Sequence, residues 1–146
     1  MTARADIAAA QPPQDPLRGP TILVIDDDPL VLRTIERILQ RRGYRVCLAA
    51  DGSEGLDRFR YAQPDLIITD VVMPVQNGLD TIRVLRSWSP SAKIIAISGG
   101  NRASKRDLLA AALAIGASAA IVKPFVPDEL LSMVAANLPH AGVTLN

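Results

Sequence analysis

The sequence predicts an α/β protein: a doubly wound, five-stranded parallel sheet in strand order 2-1-3-4-5, the middle layer of a three-layer sandwich. Three observations lead there. Short apolar runs without alternation, such as Ile22-Leu23-Val24-Ile25 and Leu66-Ile67-Ile68, read as strands buried on both faces. Amphipathic stretches of helical period separate these runs, so strand and helix alternate through five units. Right-handed crossovers between parallel strands then leave few arrangements, of which 2-1-3-4-5 is a common one.

Each element has a local cause. Residues 1–20 carry prolines at 12, 13, 16 and 20 and no apolar period, and are expected to be a flexible leader. Thr21 to Ile25 is the first strand. Asp28-Pro29 starts a helix, with Asp as N-cap and Pro in the first turn. Its core stripe is Val31, Leu32, Ile35, Ile38 and Leu39, and Gly43 ends it. Residues 45–48 form a short strand, and 52–61 a helix with Leu56 and Phe59 inward. Residues 65–69 are the third strand, followed by a helix over 78–88 with Ile82 and Leu85 on its core face. The fourth strand spans 92–97, and an Ala- and Leu-rich helix over 104–115 ends at Gly116. Residues 119–122 are the last strand, and 127–138 the last helix, with Leu130, Leu131, Val134 and Leu138 inward. The domain is thus expected over 21–138, with a short polar tail over 139–146 and no room there for an output domain.

Composition narrows the class. The chain has 146 residues, 49% apolar and 21% charged, as a soluble globular domain would. A net charge of +1 implies no bulk attraction to nucleic acid or to an anionic membrane. Cys47 is the only cysteine, so no intrachain disulfide forms, and it is expected as a buried, reduced thiol. No apolar run reaches the ~18 residues that span a bilayer. The start of the chain has no signal-peptide apolar segment, because residues 7–10 stop at Gln11-Pro12-Pro13. A cytoplasmic location is expected.

The chemistry is sought where strands end at their carboxyl termini, the reactive rim of such a sheet. Asp26, Asp27 and Asp28 follow the first strand, Asp70 the third, Ser98-Gly99-Gly100 the fourth and Lys123-Pro124 the fifth. With strands 1 and 3 adjacent, their carboxylates crowd together, and like charges at short range do not all stay ionised unaided. A divalent cation resolves this. Hard oxygen donors with room for water suit Mg²⁺. Beside such a cation, Ser and Lys make a cradle for a phosphoryl group, and a carboxylate can attack as nucleophile to give an acyl phosphate. Asp28 reads as a cap. Asp51-Gly52 and Asn77-Gly78 read as helix starts, Asp65 as a strand-edge residue, and His140 as an exposed bystander. Trp88 and residues 110–114 read as packing or part of a partner face.

These segments together resemble the receiver domains of bacterial two-component response regulators. The resemblance rests on Ile22-Leu23-Val24-Ile25-Asp26-Asp27-Asp28-Pro29, on Pro64 through Pro74 around Asp70, and on Asn77-Gly78-Leu79. It also rests on Ile97-Ser98-Gly99-Gly100, Gly116-Ala117 and Val122-Lys123-Pro124-Phe125. It implies that Asp70 is the phosphoacceptor. It implies that Mg²⁺ is held by Asp26, Asp27, Asp70 and the backbone carbonyl of Val72, with Asp27 direct and Asp26 mainly through water. Ser98 would be the switch hydroxyl, Lys123 the phosphoryl contact, and the bond before Pro124 cis. The donor would be a phosphohistidine on a sensor histidine kinase or histidine phosphotransfer protein. The output would be a downstream protein target, a homodimer or use as a phosphoryl shuttle, with no direct nucleic-acid or membrane binding. Such a domain is not an enzyme beyond weak self-catalysed phosphoryl transfer.

Two departures from the family stand out. Ala120 occupies the place of an aromatic that usually couples to the switch hydroxyl, so switching would fall to the loop over 99–104, which looks long and glycine-rich. Val72 and Gly100 lack polar side chains at sites that tune acyl-phosphate hydrolysis, so the phosphorylated state is expected to last. Two other functions compete. A dehalogenase-like phosphatase would use Asp26 as nucleophile but needs a later acidic pair at a strand end, where only Asp128 and Glu129 on the last helix follow Lys123. A docking adaptor that is never phosphorylated would not need the intact Asp, Ser and Lys set.

Overall fold

A computed structural model of the chain describes residues 19–72, 78–99 and 102–138. Five strands, β1 (Thr21–Ile25), β2 (Arg45–Ala49), β3 (Leu66–Asp70), β4 (Ile94–Ser98) and β5 (Ala119–Val122), alternate with five helices. The helices are α1 (Pro29–Gln40), α2 (Gly52–Ala62), α3 (Gly78–Trp88), α4 (Arg102–Ile115) and α5 (Pro127–Asn137). All pairings are parallel, in the order β2-β1-β3-β4-β5. The fold class and strand order are those the sequence predicts.

Alternating side chains of each strand feed two cores. Ile22, Val24, Leu66, Ile68, Ile95, Ile97 and Ile121 face Leu32, Ile35 and Leu39 of α1 and Leu130 and Val134 of α5. Leu23, Ile25, Ile67, Ile94 and Ala96 face α2, α3 and α4 through Leu56, Phe59, Ile82, Leu85, Leu109 and Ala112. Each fully buried Leu or Ile contributes roughly 1.5–3 kcal/mol, so these two layers hold the sheet rigidly beneath its rims.

Caps set where the helices start. Asp28 Oδ1 accepts the Leu30 N–H at 2.9 Å. Asp51 Oδ1 accepts the Glu54 N–H at 2.8 Å, and Glu54 reaches back to the Ala50 N–H. Gly55 is small because a Cβ there would run into the Ile25 side chain, so α2 lies tight on β1. Arg86, near the end of α3, gathers loop carbonyls: it donates to Pro90 at 2.8 Å and Ala92 at 2.7 Å, and also to the carbonyl of Gly116 beyond α4.

Some boundaries differ from expectation. Asp70 and Ser98 are the last rungs of β3 and β4, opposite Ile97 and Val122, rather than the first residues beyond them. The reason is that the ladder continues one residue past the apolar run. Asp65, expected inside β3, instead precedes it: its carboxylate accepts the Thr21 N–H at 2.9 Å and ties the starts of two strands together. α4 starts at Arg102, so the expected loop over 99–104 is partly helix. Cys47 is half-buried rather than buried, because β2 is an edge strand; burial pushes its thiol pKa up, against the pull of Arg58. Among the described residues, no helix is long and apolar enough to cross a membrane. Asn77, Gly100 and His140 lie outside the described residues.

Candidate functional site

Parallel strands pointing the same way bring the ends of β1, β3, β4 and β5 to one rim, and each contributes to it. The turn from β1 to α1 supplies Asp26 and Asp27. Asp26 is buried: its Oδ1 accepts the Asp28 N–H at 2.9 Å and its Oδ2 accepts Lys123 Nζ at 2.9 Å. Asp27, next to it, is exposed. Asp70 ends β3, also buried; its Oδ1 accepts the Val72 N–H at 3.0 Å and its Oδ2 accepts Lys123 Nζ at 3.2 Å. One carboxylate oxygen from each of Asp26, Asp27 and Asp70 lies within 4.8 Å of the other two. No other acidic or metal-ligating trio of this kind occurs among the described residues.

The electrostatics follow from crowding at low solvent access. Burial pushes the Asp70 carboxyl above its ordinary 3.8; the Val72 amide and the Lys123 ammonium pull against that, and the Asp26 charge adds to it. For Lys123, burial alone would lower the ammonium pKa. The bond to Asp26 and the charges of Asp70 and Asp26 outweigh it, so the ammonium is held above its ordinary 10.5. One cation thus sits between two buried carboxylates, with a third carboxylate alongside.

Ser98 brings an independent signal. Its hydroxyl is buried and has no hydrogen-bond partner, although an unpaired buried polar group costs roughly 1–3 kcal/mol. Its carbonyl accepts the Lys123 N–H at 2.9 Å, which ties the end of β4 to the residue just past β5. Val72 sits just beyond Asp70, its amide fixed by that carboxylate and its side chain 43% exposed. The Lys123–Pro124 bond is cis, as expected.

Two positions escaped the sequence reading. A Cβ on Gly99 would lie 2.6 Å from Lys123 Cδ and 2.8 Å from its Cβ, so the missing side chain leaves the track along which the lysine stem runs. A Cβ on Gly78 would strike the Asp70 carbonyl, so α3 starts against the end of β3 only because that residue is glycine. Both glycines were visible as turn signals, but the close approaches that require them are tertiary.

The donor set is chemically coherent. Oxygen ligands without imidazole or thiol suit a hard divalent cation, and the orphaned Ser98 hydroxyl points to a further acceptor. Such a rim can hold a cation and a phosphoryl group side by side. Asp128 and Glu129, the residues a phosphatase reading would need, lie in the first turn of α5.

Comparison with known proteins agrees with this fold. The sequence matches the response regulator receiver domain family over residues 22–135. It is 38% identical over 126 residues to the transcriptional regulatory protein PrrA of Mycobacterium tuberculosis, covering 86% of this chain and 53% of that protein. It is 39% identical over 117 residues to the response regulator MprA of Mycolicibacterium vanbaalenii, covering 80% and 49% respectively. The chain therefore spans about half the length of the curated relatives it matches. Among solved structures, a receiver domain protein from Clostridium thermocellum superposes with a TM-score of 0.75 at 29% identity, over 81% of this chain and 93% of that one. The chemotaxis protein CheY4 of Vibrio cholerae does so with a TM-score of 0.74 at 32% identity, over 82% and 99%.

Proposed function

The chain belongs to the response regulator receiver domain family of two-component systems, and on that premise we propose that it takes a phosphoryl group onto Asp70 in a Mg²⁺-dependent step. The observation that carries this reading is the position of Lys123 Nζ, 3.2 Å from Asp70 Oδ2 and 2.9 Å from Asp26 Oδ2, beside the trio of carboxylates.

Asp70 Oδ2, on the Lys123 side, attacks the phosphorus of a phosphohistidine; the P–N bond breaks as the O–P bond forms, leaving an acyl phosphate and a free imidazole. Oδ1, held by the Val72 amide, fixes the carboxylate plane. Lys123 gives its ammonium to the phosphoryl oxygens as a point charge. Ser98, buried and unpartnered, donates its hydroxyl to another of them. Asp27, exposed beside the two buried carboxylates, would hold Mg²⁺ directly and Asp26 mainly through water, with Asp70 and the Val72 carbonyl completing the set. Bound Mg²⁺ would neutralise charge developing on the transferred group.

The donor in this reading is a sensor histidine kinase or a histidine phosphotransfer protein. The added charge of roughly −1.5 to −2 at the rim biases the adjoining loop and is read by a downstream protein, by a second copy, or by onward transfer. Beyond phosphoryl transfer and slow self-hydrolysis, no catalytic turnover is assigned, and the setting is the cytoplasm.

The test is incubation with a small acyl-phosphate donor and Mg²⁺, followed by intact mass. One added phosphoryl group is expected, absent from Asp70→Asn and after chelation. Unmodified protein under these conditions, or steady phosphoester hydrolysis, would overturn the reading.

A further inference from the structure

The strand that ends in Asp70 runs Leu66-Ile67-Ile68 and then breaks its apolar run with Thr69, a fully buried residue. Strand alternation turns Thr69 to the same face as Ile67 and Val71, and its register partners are Ile25 on β1 and Ala96 on β4. Valine has the same shape and would be the cheaper occupant, because a hydroxyl taken out of water costs free energy unless it is hydrogen-bonded. The Thr69 hydroxyl spends its proton close by: it donates to the Asp70 carbonyl oxygen at 3.1 Å.

That carbonyl lies where the sheet offers it no rung. Across the same peptide unit, the Val71 N–H donates to the Ile97 carbonyl of β4 at 2.9 Å. The C=O and N–H of a planar trans peptide point opposite ways, so the Asp70 carbonyl points toward β1. The β1–β3 pairing runs from Ile22 and Leu66 to Ile25 and Thr69, and the carbonyl is past its end. Gly78 packs against the same oxygen from the start of α3. Buried carbonyls are normally paired, and the Thr69 hydroxyl closes the gap the ladder leaves. The Asp70–Val71 peptide is thus held at both ends. It is also part of the turn that Asp70 Oδ1 closes by accepting the Val72 N–H at 3.0 Å.

We propose that Thr69 is a positioning residue for the reactive carboxylate. Its hydroxyl locks the Asp70–Val71 peptide, and through it the turn that aims Asp70 Oδ2 at Lys123 and sets the Val72 carbonyl assigned to the cation. The consequence for phosphoryl transfer rests on the proposed function; the consequence for the turn does not. Without the hydroxyl, the Asp70 carbonyl turns toward another donor, the peptide rotates, and the Val72 amide and carbonyl move with it.

Thr69→Val removes the hydroxyl and keeps the shape, while Thr69→Ser keeps the hydroxyl. In the metal-free, unphosphorylated full chain, hydrogen exchange of the Val72 amide, followed by NMR, is expected to be several-fold faster in Thr69→Val than in wild type. It should be near wild type in Thr69→Ser, and the amides of Ile67 and Ile68 should keep their wild-type rates in both. With a small acyl-phosphate donor, the Mg²⁺ concentration for half-maximal modification of Asp70 should rise several-fold in Thr69→Val and return in Thr69→Ser. The donor concentration for half-maximal rate should not change. Circular dichroism checks folding, and Thr69→Ala takes the place of Thr69→Val if that variant does not fold. A hydroxyl that serves stability alone would shift the urea midpoint and leave both readouts unmoved, and that result would overturn the proposal. So would faster exchange shared by Ile67 and Ile68, an unchanged Mg²⁺ dependence in protein that is modified, or no recovery in Thr69→Ser. Faster Val72 exchange in Thr69→Val together with unmodified Asp70 in the wild type would instead count against the reading of Asp70.

Discussion

The stem of Lys123 runs over the bare backbone of Gly99, where any Cβ would come within 2.6 Å of Lys123 Cδ. Neighbouring strand ends thereby set one another's side chains: β4 supplies the gap, and β5 fills it with the cation that joins Asp26 and Asp70. The lysine position thus depends on a residue with no side chain at all.

Gly99→Val should therefore uncouple the lysine from the carboxylates. The added side chain has to displace the stem, and overpacking of this kind costs roughly 1–3 kcal/mol. Urea denaturation should show that loss, and intact-mass kinetics with a small acyl-phosphate donor should show slower modification of Asp70. Wild-type stability with wild-type kinetics would mean that the stem has another path.

Asp70→Asn should make the protein more stable at neutral pH in the absence of divalent cations. Burial raises the Asp70 pKa above 3.8, so the folded state favours the protonated form. The stability this group contributes is complete below its unfolded pKa and is lost as pH rises through the folded value. Asn imitates the protonated side chain and escapes that loss. The gap between variant and wild type, small in acid, should widen as pH rises through the folded pKa of Asp70 and then level. Urea midpoints across this range check it; a variant less stable than wild type at neutral pH without metal would contradict it.

Divalent cations should reverse that order. A ligand bound only by the folded state stabilises it by RT ln(1 + [L]/Kd), about 2.7 kcal/mol at a hundredfold excess over Kd. Wild type should gain melting temperature with Mg²⁺ and lose it on chelation, whereas Asp70→Asn and Asp27→Asn should respond weakly. Lys123→Met removes the one cation from two buried carboxylates and should cost about 3 kcal/mol, the low end for a broken buried pair because the lysine is 20% exposed. That cost should shrink when Mg²⁺ supplies the missing charge. A loss independent of Mg²⁺ would show that Lys123 and the metal site do not share their carboxylates.

How much of this was legible in the sequence depended on range. Strand order, alternation and caps are local or follow from chain handedness, so the Ile22–Ile25 run, Asp28-Pro29 and Asp51 could be read directly. The set Asp26, Asp27, Asp70, Ser98 and Lys123 was legible because a parallel sheet turns four separated strand ends into one rim. Invisible were the contacts with no sequence period: the Asp65 tie to Thr21, the Gly78 approach to the Asp70 carbonyl, and the reach of Arg86 to Gly116.

Arg86→Ala should destabilise the fold without touching the reactive rim. The guanidinium serves the carbonyls of Pro90, Ala92 and Gly116 at the far end of the sheet, and hydrogen bonds from a charged donor are worth about 1.5–3 kcal/mol each before losses to solvent. A total loss of roughly 2–4 kcal/mol is expected in urea. Arg86→Lys should recover only part of it, since one ammonium cannot reproduce the fork that spans separate loops. Extent of phosphorylation of the folded fraction should stay at the wild-type level, because the rim lies a strand-length away; a fall there would tie Arg86 to the site.

Loss of the phosphoryl group from Asp70 should be slow. Attack by water on the acyl phosphate is helped when a side chain orients that water by hydrogen bonding. The side chain two residues past Asp70 is the hydrocarbon of Val72, 43% exposed and unable to donate or accept. The phosphorylated protein, freed of donor, should therefore persist for minutes or longer at room temperature, followed by intact mass. Val72→Asn should shorten that lifetime several-fold by placing an amide where it can hold the attacking water. Decay within seconds in the wild type, or an Asn variant that decays no faster, would show that another group performs this task.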